Sequence, residues 1–465
     1  VTRIHDLSTV DMAAAVRTGE LSATEITAHY LDRIDRLNGG LGAFVEVTAD
    51  AARARAATTL PNGPLTGVPF GDKDLVARAG VPTRYGSRAF ADHVPESSDP
   101  LAAALDRTGG ISLGKTTTPE FGLTGFTEPR IGPSARNPWD TTTGAGGSSG
   151  GAAVAVAAGL LPWAPASDGG GSVRIPAATC GVVGLKPSRG RLPIGAGLDT
   201  YDGLSVNGPI TRSVADAAFL LDVLVGLAPS HRAVTAPGSG PFIHAVNSPI
   251  ADLRIGTTLV TPWDGDVAIE LDPAAAAAVS WARTVLDGAT AGVTDAPWRP
   301  QGYPTLFRTL WRASAAMLPL DEGALSIVEP LTAWLAREGR ALPARTLVST
   351  FARARAFERA TIAAFADYDA VLTPALAMSP RPLGWHATDD PERTFDQQVE
   401  YAPHTSWVNV AGLPAITVPV LPDGTGRPWS VQLVGRPGGE ATILALAATL
   451  ESARGILPHP AAWTA

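Results

Sequence analysis

Gly146-Gly147-Ser148-Ser149-Gly150-Gly151, a small apolar run from Ala152 to Leu161, and then Asp168-Gly169-Gly170-Gly171-Ser172-Val173-Arg174-Ile175-Pro176 form the stretch on which the reading of this chain turns. Glycine loses more backbone freedom on folding than any other residue. Two clusters of it, each holding hydroxyls, therefore mark backbone that must pass close to a ligand or to another strand. Rows of small residues also leave consecutive N–H groups open, able to cradle an anion or the oxyanion of an acyl-transfer transition state. On local grounds Ser172 reads as part of a tight turn, as a phosphate cradle or as a nucleophile. A nucleophile needs a base and oxyanion donors, and the amides of Gly169, Gly170, Gly171 and Ser172 are candidate donors. Spacing does not supply the base: no histidine falls in a triad motif and there is no Gly-x-Ser-x-Gly elbow. A non-catalytic anion- or nucleotide-binding module stays open as an alternative, although neither a Walker A pattern nor a Gly-x-Gly-x-x-Gly fingerprint is present.

Outward from this stretch the chain alternates helix and strand signals, as an α/β core does. Ala152 to Leu160 reads as a helix buried in the core, with Ser148 near its N-terminus. Before it, the first sixty residues read as helices. Ser22 and Glu25 form a capping box, followed by Ile26, Tyr30, Leu31 and Ile34 at helical spacing. Pro61-Asn62-Gly63-Pro64 turns the chain into Leu65–Phe70, a short strand or loop. Asp99-Pro100 opens a helix that ends near Gly109, and Ile111–Lys115 is the next strand. After it, Val182–Leu185 and Ile416–Val420 read as buried strands. Residues 230–400 are less patterned, with helices at 274–287 and 344–366, and read as an insertion or lid over a shared sheet.

The chain has 465 residues, 45% hydrophobic and 17% charged, with a net charge of −8. That composition describes a compact body rather than a disordered one. The negative charge and scattered arginines exclude a nucleic-acid-binding surface. Ala152–Leu161 is too short to cross a bilayer, so no membrane partner is expected. Cys180 is the single cysteine, which rules out an intrachain disulfide, counts against structural zinc and suits a reducing cytoplasm. Val1-Thr2-Arg3-Ile4-His5-Asp6 lacks the apolar core of a secretory signal. Opening on Val1 rather than Met leaves a removed leader an open matter.

Taken together, several ordered motifs resemble the amidase signature family. They are Gly67-Val68-Pro69-Phe70-Gly71-Asp72-Lys73-Asp74, Leu113-Gly114-Lys115 through Gly122, the two glycine clusters, and Cys180-Gly181-Val182-Val183-Gly184-Leu185-Lys186-Pro187. Downstream, Leu413-Pro414-Ala415-Ile416 and Val431-Gln432-Leu433-Val434-Gly435-Arg436-Pro437 look like the family's C-terminal block. The resemblance implies an α/β fold with a large mixed central β-sheet covered on both faces by helices. It implies a single domain over 1–465: helices at 1–60, a signature core at 65–195, a variable pocket-shaping region at 230–400, and a return to the core at 401–465. It also implies a Ser–cis-Ser–Lys triad in which Lys73 is the base, Ser148 the proton relay and Ser172 the nucleophile. Gly169, Gly170, Gly171 and Ser172 would form the oxyanion hole, and no metal or cofactor is called for.

The expected activity is hydrolysis of amide C–N bonds through an acyl-enzyme on Ser172. Aryl or alkyl amides, carbamates and nylon-type oligomers are the candidate small-molecule substrates, with esters on the side and a homodimer as a possible assembly. The alternative within enzymes is the glutaminase subunit of a tRNA-dependent amidotransferase. Gly125, Phe126, Thr127, Trp311, His404 and Trp407 are the candidate substrate contacts, with Met317 and Trp385 nearby. Taken singly, Lys73 reads as a solvated surface lysine, Ser148 as a helix cap, Arg174 as the ion-pair partner of Asp168, and Cys180 as core. Two positions depart from the family pattern. Gly169 replaces a larger residue, which leaves the loop less braced and the cavity wider. Asp72 precedes the lysine and would weaken it as a base if it faced it; alternation along an extended segment turns it away.

Overall fold

The computed structural model describes residues 3–192, 203–227, 235–238 and 240–465. Positions 193–195 of the expected signature core and 230–234 and 239 of the expected variable region lie outside them. Among the described residues thirteen strands form three sheets. The first holds β1 (Phe44–Val47), β2 (Pro69–Lys73) and β3 (Ile111–Thr116), with β3 in the middle, antiparallel to β1 and parallel to β2. The short β4 (Arg136–Asn137) and β5 (Asp140–Gly144) pair with each other. The large sheet holds β6 (Trp163–Asp168), β7 (Val183–Lys186), β8 (Val206–Thr211), β9 (Ile255–Thr257), β10 (Val293–Asp295), β11 (Ala370–Pro374), β12 (Ala415–Pro422) and β13 (Pro428–Gly435). Its order is β10-β9-β11-β13-β12-β7-β8-β6. Only β9 with β10 and with β11 are parallel pairs, so the sheet is mixed, as expected, and helices flank it.

Local signals explain most of these elements. Ser22 caps the helix Ala23–Leu41 and its capping box with Glu25 is formed; Ile26, Tyr30, Leu31 and Ile34 are its buried stripe. Asp99 precedes Pro100 at the start of Pro100–Arg107, but its carboxylate accepts from the Ala77 amide instead of capping the helix. The first sixty residues are not all helical, because β1 lies within them. Strands β6 and β8 have no clear signal in the sequence, since Pro165 and Pro209 interrupt them. A proline lacks a ladder donor and is tolerated at a sheet edge. Here β6 is the edge strand, and the two prolines lie opposite each other.

The helix Gly150–Ala157 is buried at every position. A Cβ at Gly151 would come within 2.3 Å of the Thr117 amide nitrogen and the Ala43 oxygen. The first glycine cluster therefore lets backbone approach backbone, which packs the helix against the chain around β1 and β3. That contact holds the small sheet, and Lys73 at the end of β2, beside the large sheet's edge strand β6.

Candidate active site

Lys73 lies on the last residue of β2, paired with Thr116, and is 2% exposed. Its Nζ is 2.7 Å from Ser148 Oγ and 3.1 Å from Ser167 Oγ. The Gly147–Ser148 peptide is cis. Burial pushes the Lys73 amine down to about 7, against a smaller opposing pull from the Asp168 carboxylate. Asp72 is turned away: it receives Arg78 Nε at 2.7 Å and the Ser112 hydroxyl at 2.7 Å. Ser148 and Ser172 open into one cavity, and the Ser149 amide donates to the Ser172 carbonyl at 3.2 Å.

The loop that carries Ser172 is held by an ion pair buried on both sides. Arg174 donates to both Asp168 carboxylate oxygens at 2.9 Å, and to the Thr405 carbonyl, Gln432 Oε1 and Asn409 Oδ1. Burial opposes ionisation of Asp168, yet the Arg174 guanidinium holds its carboxyl well below the usual carboxylate range. The carboxylate in turn accepts the amides of Gly171 at 2.7 Å and Val173 at 3.1 Å. Gly171 is thus a correction to the expected oxyanion donors, because its N–H is committed to Asp168. The amides of Gly169, Gly170 and Ser172 have no intramolecular partner among the described residues. Gly171 has φ +129°, and a Cβ on it would meet Thr405 Oγ1 at 2.4 Å, so glycine is required there for shape. Thr405 Oγ1 also donates to the Gly170 carbonyl at 2.8 Å, which braces a loop that the sequence suggested was loose.

Two cavities meet at Ser172. The larger, about 220 Å³, reaches Ser148, Gly169 and Met317. The smaller, about 70 Å³, reaches Gly125, Gly170, Phe307 and Gln398. Trp311 lines both, and its indole N–H donates to the Leu123 carbonyl at 3.1 Å. A Cβ at position 169 would lie 3.5 Å from that indole, so Trp311 occupies the room that Gly169 leaves.

Of the expected substrate contacts, Gly125 and Trp311 line these cavities and four do not. Phe126 stacks on His386 with ring centroids 3.7 Å apart. Thr127 spends its hydroxyl on the Gly146 carbonyl at 2.8 Å and braces the glycine loop. His404 is buried, and that burial lowers its imidazole to about 3. Trp407 packs between Trp298 and Phe365 in the second hydrophobic core. Trp385 packs on His386, likewise outside both cavities. Aromatic residues in a variable region carry no local mark that separates pocket from core. The contacts that sequence reasoning missed, such as Phe307, Phe395 and Gln398, lie in equally unmarked helices. Ser167 was missed because β6 itself was.

The arrangement offers a buried amine pushed down to about 7, two hydroxyls and amides without intramolecular partners among the described residues, around a cleft whose described lining carries no charged side chain, which is a set of groups suited to acyl transfer. A family model for amidases matches residues 25–444. AmiB2 of Mycobacterium tuberculosis is 38% identical, with 97% of each chain covered. The acylamidase of Rhodococcus erythropolis is 34% identical over 97% of this chain and 96% of that one. The structure of 6-aminohexanoate cyclic dimer hydrolase superposes with a TM-score of 0.90 at 29% identity, covering 99% of this chain and all of that one. No helix among the described residues is long and apolar enough to cross a membrane. With the family model and full-length relatives in agreement, the chain belongs to the amidase family and is an enzyme that hydrolyses amide C–N bonds.

Proposed function

We propose that Ser172 is the nucleophile, Ser148 the proton relay and Lys73 the general base. The observation that carries this is the 2.7 Å contact between Ser148 and a buried lysine whose amine is pushed down to about 7. As Ser172 Oγ bonds to the amide carbon, its proton passes to Ser148 Oγ, and the Ser148 proton passes to neutral Lys73. The amides of Gly169, Gly170 and Ser172 meet the oxyanion that forms. When the C–N bond breaks, Lys73 returns a proton through Ser148 to the departing nitrogen. Water then attacks the ester on Ser172 with the same groups as base, releasing the acid.

The substrates are small neutral amides, and carbamates by the same chemistry, since no charged side chain lines either cavity among the described residues. The names of the acylamidase and of the cyclic dimer hydrolase support that class. A glutaminase subunit of an amidotransferase would share the triad and would co-purify with partner subunits, whereas the enzyme proposed here acts without them, as a monomer or homodimer. We assign a cytoplasmic location, which a chain with a single cysteine suits. The direct test is a fluorophosphonate reagent followed by peptide mapping. One label per chain on Ser172 is expected, and labelling elsewhere, or none, defeats the assignment.

The pH profile follows from Lys73. Only the neutral amine accepts a proton, so kcat/KM should rise with pH and reach half its maximum near pH 7, the value to which burial lowers this amine. Lys186 is also pushed to about 7 by burial, but it donates to the Pro187 carbonyl, outside both cavities. The Lys186→Met variant should therefore keep the midpoint. A midpoint that moves with Lys186 would place the titration there instead. Stability has a definite sign too. Between about pH 7 and 10.5 the unfolded chain carries a proton on Lys73 that the folded chain does not, so this group's contribution to stability rises with pH across that window.

A further inference from the structure

We propose that the two cavities divide the substrate at its scissile bond, with the departing amine in the larger one, the acyl group in the smaller one, and Trp311 as the wall between them. The inference rests on the triad reading above and adds a direction to it.

The direction comes from Ser148. Whatever returns the proton must lie beside the nitrogen that leaves. Ser148 lines the larger cavity and is absent from the lining of the smaller. Ser167, whose hydroxyl accepts from Lys73 Nζ at 3.1 Å, lines the same larger cavity. Ser172 opens to both, as the atom bonded to the carbonyl carbon must. The acyl chain, on the far side of that carbon from the nitrogen, is left with the smaller cavity.

Trp311 separates the two by position and by anchorage. Its indole lies against Gly169 on one side, stacks on Phe307 with ring centroids 5.3 Å apart, and is held by the Leu123 carbonyl. The volumes then set a preference. With about 220 Å³ for the amine and about 70 Å³ for the acyl group, the enzyme should accept bulk on nitrogen far better than bulk on the acyl side. The expected substrate is an N-substituted amide that pairs a compact acyl group with a bulky, uncharged amine.

The test uses two isomers built on N-propylbutanamide, one with a cyclohexyl group at the end of the amine chain and one with it at the end of the acyl chain. The reacting amide is the same in both, so their difference reports space alone. In the wild-type enzyme kcat/KM for the amine-side isomer should exceed that for the acyl-side isomer at least tenfold. Ser314→Leu, which narrows only the larger of the two, should lower that ratio at least fivefold. Val399→Phe, which narrows only the smaller, should raise it by a similar factor. Equal rates for the two isomers in the wild type, or a reversed ratio, overturn the assignment without any variant. So does a swapped response of the variants. If neither isomer is cleaved and Ser172 takes no fluorophosphonate label, the triad reading itself has failed. Full labelling with no discrimination leaves the triad standing and removes only the division of the substrate.

Discussion

Ser172→Ala is expected to lower kcat for amide hydrolysis about 10⁶-fold, the size of loss seen when the nucleophile of a serine hydrolase is removed. The substitution deletes one oxygen and nothing that holds the fold. The Ser172 carbonyl still accepts from the Ser149 amide, and the loop is still held by Asp168 through Gly171 and Val173. KM should change little, because substrate contacts come from walls such as Trp311 and Phe307, and the thermal midpoint should stay within a degree or two. Residual catalysis would come from the free amides of Gly169 and Gly170, which polarise the carbonyl without a nucleophile. Ser148→Ala is the instructive contrast. It keeps the proposed nucleophile and interrupts the proposed proton path between Lys73 and Ser172, so it should lose activity yet retain slow fluorophosphonate labelling. Turnover in Ser172→Ala within tenfold of wild type would show that the acyl-enzyme forms elsewhere.

How much of this site could be read in the sequence depends on how locally each part is encoded. Capping at Ser22, the buried helix after Gly150 and the orientation of Asp72 away from Lys73 follow from neighbours within a few residues, and all three are present. The candidate triad is legible as an ordered set of motifs although its members are not adjacent: Lys73 and Ser148 are 75 positions apart. What was not legible depends on partners chosen by the fold. Gly171 looks like any other glycine in its run; the Asp168 carboxylate 2.7 Å from its nitrogen and its positive φ against Thr405 separate it from Gly169 and Gly170. Asn409, Gln432 and Thr405 close around Arg174 from more than 230 positions away. His404 and Trp407 flank that clamp in sequence while packing into the core. Period and propensity assign such residues to an element, but the pocket is decided by which face that element turns inward.

Arg174→Met should be the most destabilising single change near the site, by about 3–5 kcal/mol, because it strands a carboxylate that is fully buried. Methionine matches much of the volume, so packing alone predicts far less. Asp168 would keep the amides of Gly171 and Val173 and the side-chain amide of Asn409, but these dipoles replace only part of a guanidinium that donates to both its oxygens. With Arg174 gone, burial is opposed by Lys186 and by hydrogen bonds such as that from Asn409, without the guanidinium, so the carboxyl should rise toward protonation and loosen its hold on Gly171. The free amides on either side then lose their aim, and kcat should fall about 10²- to 10³-fold, the cost of a lost oxyanion donor. The double variant Asp168→Asn/Arg174→Met separates the two consequences. It removes the unpaired charge, so its thermal midpoint should recover above that of Arg174→Met, a coupling expected between residues in contact. Its activity should stay low, since the side-chain amide of asparagine cannot accept the Gly171 and Val173 amides as two carboxylate oxygens do. If Arg174→Met keeps both the wild-type midpoint and wild-type kcat, the ion pair does not hold the nucleophile loop. If the double variant regains full activity, loop geometry is independent of Asp168, and the alignment of Gly169, Gly170 and Ser172 must come from the remaining contacts, Thr405 on the Gly170 carbonyl and the Ser149 amide on the Ser172 carbonyl.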